Sequence, residues 1–185
     1  GFFQKIQYTE PIKKELLELF EIKSELSPSE KEMLDKIQGS NSVCVNFRRQ
    51  FGSRPETIDN ITNPGANYFH GIYGMDYFNE AIKIIEEKEQ NLHLFVFADD
   101  IEYVKKEFES THPFTIVDHS YKGDRFASYL KLMQSCKHFI IPNSTFAWWA
   151  AYLSDTQGIV VTPKNWFNDP NINTVDLRPE SWWNV

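Results

Sequence analysis

Five short apolar runs punctuate this chain: Val43–Phe47, His93–Phe97, Phe114–Val117, His138–Ile141 and Gly158–Val161. Between them lie segments whose apolar residues recur at helical spacing. Strands that are apolar throughout are buried on both faces, and their alternation with amphipathic helices points to a parallel sheet. The expected fold class is therefore α/β, a Rossmann-like parallel sheet with helices on both faces. In such sheets a ligand lies beyond the carboxyl ends of the strands.

The helices are expected over Pro11–Phe20, Pro28–Gln38, Met75–Lys88, Ile101–Glu109, Arg125–Cys136 and Thr145–Leu153. In the first, Ile12, Leu16, Leu19 and Phe20 share one stripe. The second opens on Ser27-Pro28-Ser29-Glu30, with Ser27 as N-cap and Glu30 closing a capping box. In the fifth, Phe126, Tyr129, Leu130 and Met133 face inward. Residues 1–40 read as a helical segment packing on the core and residues 41–162 as the Rossmann-like domain. Residues 163–185 form an irregular aromatic tail in which Trp166, Trp182 and Trp183 seal a surface. The polar stretch from Gln50 to Gly74 is too long for a plain connector, which marks it as functional.

A chain of 185 residues buries roughly 70% of its unfolded surface as one domain. The net charge of −7 argues against nucleic acid or an anionic membrane as the main partner, since both call for a broad basic face. No apolar run is long enough to span a bilayer, so at most peripheral membrane contact is expected, in a cytoplasmic setting. Cys44 and Cys136 sit in apolar surroundings and read as reduced core thiols. The start lacks both a signal pattern and an initiator Met, as an excised piece of a longer protein would.

Three polar clusters end the strands. Asn46-Phe47-Arg48-Arg49 follows the first. Adjacent arginines there point to opposite sides, so one can reach phosphate oxygens while the other braces a carboxylate. Asp99-Asp100 follows the second; one carboxylate suits a ribose or purine edge, and the other a helix cap. Asn143-Ser144-Thr145 opens the helix beginning Phe146-Ala147-Trp148-Trp149, where unpaired N–H groups and the helix dipole favour an anion, or where Ser144 or Thr145 simply caps. Together they describe a nucleotide site. A metal role for Asp99 and Asp100 is weak, because adjacent strand-end carboxylates diverge and no third ligand is evident. The lack of a P-loop or a G-x-G-x-x-G disfavours an ATPase or a dinucleotide dehydrogenase. Of the five histidines, His93 and His138 begin strands and read as structural; His70 lies in the long loop and His119 in the loop after the third strand, so both could face the site.

With these residues in view, the chain resembles glycosyltransferase family 11, the α-1,2-fucosyltransferases. Gly1-Phe2-Phe3-Gln4 is similar to that family's G-Y-F-Q segment, Asn46–Phe51 to its H-x-R-R-x-D motif, and Phe95–Asp100 to F-V-F-S-D-D. Leu132–Trp149 is similar to L-M-S-x-C-K-H-x-I-I-x-N-S-S-F-S-W-W. The resemblance implies the nucleotide-binding half of a GT-B-like fold and metal-independent, inverting transfer of fucose from GDP-fucose, the donor substrate, to a glycan acceptor hydroxyl, with no cofactor. It implies Arg48 as the catalytic group, with Asn46, Arg49, Asp99, Asp100, Asn143, Ser144, Thr145 and Phe146 completing the donor site. Members carry a further N-terminal lobe, a partner this chain would need. The motif's His and Asp are Asn46 and Phe51 here, which puts acceptor activation in question and makes Glu56, Asp59 and His70 candidates for a displaced base. A transferase with another donor or acceptor, and a silent nucleotide- or glycan-binding module, are the competing readings.

Overall fold

The computed structural model describes residues 3–49, 69–156 and 158–185. Among them, six strands form one parallel sheet: β1 (Asn41–Phe47), β2 (Leu92–Ala98), β3 (Phe114–Val117), β4 (His138–Ile140), β5 (Val160–Thr162) and β6 (Trp183–Asn184), in the order β3-β2-β1-β4-β5-β6. The helices are α1 (Ile6–Thr9), α2 (Lys13–Leu19), α3 (Pro28–Gln38), α4 (Met75–Glu86), α5 (Ile101–Glu107), α6 (Ala127–Gln134) and α7 (Thr145–Tyr152).

Strand pleating deals successive side chains to opposite faces. Val43, Val45 and Phe47 of β1 and Leu92, Leu94, Val96 and Ala98 of β2 meet Phe78, Ile85 and Val104 of α4 and α5. Cys44, Phe95, Phe97, Phe139 and Ile141 meet Ile37, Leu132, Met133 and Trp148 of α3, α6 and α7. Both faces are covered, as an all-parallel sheet demands. The chain grows from β1 outward to β2 and β3, then crosses to the other side of β1 for β4. The loops leaving β1 and β4 therefore diverge, and their carboxyl ends flank a crevice.

The capping box forms: Ser27 N–H donates to Glu30 Oε2 at 2.7 Å and Glu30 N–H to Ser27 Oγ at 3.3 Å. Four expectations need correction. The first stripe is displaced, because α2 docks through Leu16 and Leu17. Leu19 is then turned well off the inward direction and is 79% exposed, while Ile12 ends a 3₁₀ turn begun at Glu10-Pro11 and lies outside the helix. Phe20 instead stacks on Trp149, ring centroids 5.3 Å apart. Helix α6 starts at Ala127 because Arg125 and Phe126 adopt left-handed φ of 47° and 65°, which turns Phe126 to solvent. The fifth strand begins two residues later than expected, at Val160, and runs one residue further, to Thr162. Finally, the tail is not irregular throughout: β6 pairs with β5, and Trp166 is a core residue, 3% exposed. A two-residue strand has no apolar run to announce it; it is held by backbone bonds such as Val185 N–H to Thr162 O at 3.0 Å.

Candidate functional site

Strand β1 delivers its two arginines to different sides, as the pleat requires. Arg48 lies on the Cys44 side and donates from Nη1 to Asp99 Oδ2 at 2.9 Å, with about a third of its side chain exposed. Arg49 lies on the Val45 side, its guanidinium 3.5 Å from the Tyr103 ring centroid. Its backbone N–H donates to Asp99 Oδ1 at 2.9 Å. Asp99 thus fixes the β1 terminus through both a guanidinium and an amide. Asp100 is the helix cap, its Oδ1 accepting from Tyr103 N–H at 3.0 Å. Of the two carboxylates, one braces and one caps.

Asn46 is 6% exposed and donates from Nδ2 to Phe97 O at 3.4 Å, tying β1 to β2 below the edge. At the end of β4, Asn143 is 4% exposed. Its Nδ2 donates to His70 O and, at 3.1 Å, to Trp166 O. Ser144 is the N-cap of α7, its Oγ accepting from Ala147 N–H at 3.4 Å. Thr145 donates to Gln4 Oε1 at 2.7 Å, and Phe146 is exposed beside it.

His70 reaches this edge from a loop far away in sequence. Asn168 N–H donates to Phe69 O at 3.0 Å, and Gly71 passes so close that an added Cβ would lie 2.8 Å from Asn168 Oδ1, at a φ of 74°. The imidazole, beside Phe69 and Phe167, is pushed below the usual histidine range by burial and by the charge of Arg48. It is a neutral ring next to a guanidinium. His119 sits at the other end of the edge, its Nε2 donating to Ala98 O at 2.9 Å. Glu56, Asp59, Phe51 and most of the stretch from Gln50 to Gly74 lie outside the described residues.

Sequence reasoning missed the phenol of Tyr129. It donates to Val117 O at 2.8 Å and accepts from Ala98 N–H at 3.1 Å, locking the carboxyl ends of β2 and β3. A tyrosine at an inward helical position is the signal, because a buried phenol needs a partner. Sequence reasoning also missed Gln4 and Tyr103 as residues of this edge.

Among the described residues, the buried side-chain atoms that lack a hydrogen-bond partner include Gln4 Nε2, Arg49 Nε and Asn143 Oδ1. All three belong to residues at, or bonded to, the carboxyl ends of β1 and β4. Buried polar atoms are nearly always paired, so a concentration of unmet donors and acceptors on one edge suits a polar ligand. Two open grooves of about 580 and 500 Å³ lie elsewhere, around the α2–α3 linker and the amino ends of the strands, lined by mixed lysine and acidic residues. Among the described residues no group of three His, Cys, Asp or Glu side chains could hold a metal ion, and no helix is long and apolar enough to cross a membrane.

The model of the family described as glycosyl transferase family 11 matches residues 1–184. An α-1,2-colitosyltransferase of Escherichia coli is 33% identical over 183 residues, which is 98% of this chain and 60% of that protein. The O-antigen biosynthesis glycosyltransferase WbnK of Escherichia coli is 31% identical over 190 residues, 100% of this chain and 59% of that protein. The chain thus spans about three fifths of the length of these curated relatives.

Proposed function

The chain belongs to glycosyl transferase family 11, and from that footing we propose that it is the donor-binding part of an inverting, metal-independent glycosyltransferase that moves fucose from GDP-fucose to a galactoside hydroxyl in surface polysaccharide synthesis. The observation that carries the reading is the β1/β4 edge, with Arg48 at the end of β1, the start of α7 after β4, and unmet polar atoms on Gln4, Arg49 and Asn143 along the same edge.

The diphosphate belongs at the first turn of α7, where the amides of Thr145 and Phe146 and the positive helix end suit anionic oxygens. Ser144 shapes that turn by capping it. Arg48 reaches the phosphates from β1 and stabilises the charge that gathers on the departing GDP. This is electrostatic catalysis, and removing one such donor raises a barrier by about 3–4 kcal/mol. Asp99 orients Arg48, so it acts through the guanidinium. Arg49 over Tyr103 and Asn46 under the edge support the same lip. The acceptor oxygen needs a proton acceptor, and neutral His70 beside Arg48 is the described side chain with that chemistry. The second lobe of the cleft and the glycan acceptor's contacts belong to the remaining length that the relatives have, with the enzyme at the cytoplasmic side of the membrane.

A colitosyl donor is the second reading, supported by the name of the 33%-identical relative. Calorimetry of the complete protein with GDP, GDP-fucose and UDP tests the proposal. GDP and GDP-fucose bind, UDP binds more weakly, and Arg48→Ala lowers GDP affinity at least about tenfold, since one charge-assisted contact is worth about 1.5–3 kcal/mol. A preference for UDP removes the fucosyl reading. Binding without transfer in the complete protein supports the silent module.

A further inference from the structure

The segment preceding α1 reaches the site edge through the side chain of Gln4. Gln4 Oε1 accepts the Thr145 hydroxyl at 2.7 Å across 141 positions of sequence. Its Nε2 is buried without a hydrogen-bond partner. Native proteins rarely leave a buried amide N–H unmet, because its desolvation is uncompensated. The carboxamide is also held in place. Ile6 packs into the core, Thr9 is 3% exposed, and Lys5 Nζ lies 3.4 Å from Asp176 Oδ2. One end of the amide is anchored on Thr145, the first residue of α7, which keeps the unmet Nε2 near the space around that helix's first turn.

That space is already rich in donors. The opening amides of α7 have no intrahelical acceptor, and the helix dipole adds positive potential. Another N–H group there without an acceptor calls for a ligand whose surface consists of acceptors. A diphosphate is such a ligand; a sugar hydroxyl or a purine ring presents donors as well.

We propose that Gln4 is a donor-site residue whose carboxamide N–H₂ hydrogen-bonds a diphosphate oxygen of the nucleotide sugar at the start of α7. The proposal rests on the nucleotide reading above and adds a contact supplied by the N-terminal segment. Donor binding is thereby coupled to the docking of residues 3–9 on the core.

The test titrates the complete protein and its Gln4 variants with GDP and with guanosine. Gln4→Glu sets an acceptor-only carboxylate against phosphate and lowers GDP affinity about thirtyfold. Gln4→Lys keeps or tightens GDP binding. Gln4→Met, which keeps the chain length and drops both polar atoms, lowers GDP affinity about fivefold. Guanosine, which has no phosphate, binds all variants as it binds the wild type. Equal losses in the Glu and Lys variants, or a guanosine loss matching that of GDP, overturn the contact. A wild-type protein that binds no GDP overturns the nucleotide reading itself.

Discussion

Replacing Tyr129 by Phe isolates the bond between two strand ends. The ring stays, with its edge contact to Phe97 at 5.0 Å between centroids, and Tyr129 is 3% exposed, so only one oxygen leaves a packed site. What is lost is the donation to Val117 O at 2.8 Å and the acceptance from Ala98 N–H at 3.1 Å. Each backbone group left unpaired costs about 1–3 kcal/mol. Water reaching the sheet edge recovers part of this, which leaves a loss of about 2–3 kcal/mol. For a chain of this size that is a fall of roughly 4–12 °C in Tm. Urea unfolding followed by circular dichroism measures it, with an unchanged slope showing that only stability moved. Because Ala98 precedes Asp99, GDP affinity should fall in the same variant. A loss below about 0.5 kcal/mol would mean that the phenol only fills space, and the argument for a locked β2–β3 edge would fail.

Gly158→Ala places a Cβ 1.6 Å from Lys137 O, against the residue that leads into β4; overpacking of this kind costs about 3 kcal/mol, measured as a shift in urea midpoint. Acid destabilises the fold early. The His138 Nδ1 accepts from Ile159 N–H at 3.0 Å, and burial, the leading cause, pushes its pKa below the usual histidine range. Its folded pKa is depressed, so the unfolded chain takes up the proton first. The stability present above pH ~6.5 is lost as pH falls through the folded value. His70 and His93 shift in the same direction. Unfolding free energies measured from pH 7.5 to 5 should decline over that window, and a flat profile would refute the neutral, buried assignment.

The sheet was legible because its determinants are local. β1, β2 and β4 announce themselves by apolar runs, and the covered faces follow from those runs lacking a polar alternation. The three strand-end clusters were legible for the same reason, since a strand's end fixes where its next residues go. What stayed hidden was long-range or conformational. Nothing near Arg125 signals a left-handed pair, because neither residue is glycine or asparagine. β6 depends on backbone bonds to Thr162 rather than on side chains. The divergence of Arg48 and Arg49 could be read from strand geometry, yet the choice of Asp99 as the brace could not. Gln4 meets Thr145 only after the whole intervening chain has folded.

The ion pair between Arg48 and Asp99 has a kinetic corollary. In the proposed donor role, a guanidinium that already holds a carboxylate must share or surrender it to grip an incoming phosphate, so association would be opposed by a standing rival. On that proposal the same rival would speed departure: as the spent nucleotide leaves, the cation would fall back on its resident anion and no naked charge would be exposed. Turnover in such an arrangement gains from modest affinity for product, and Asp99→Asn, by removing the rival, should lengthen the residence time of GDP.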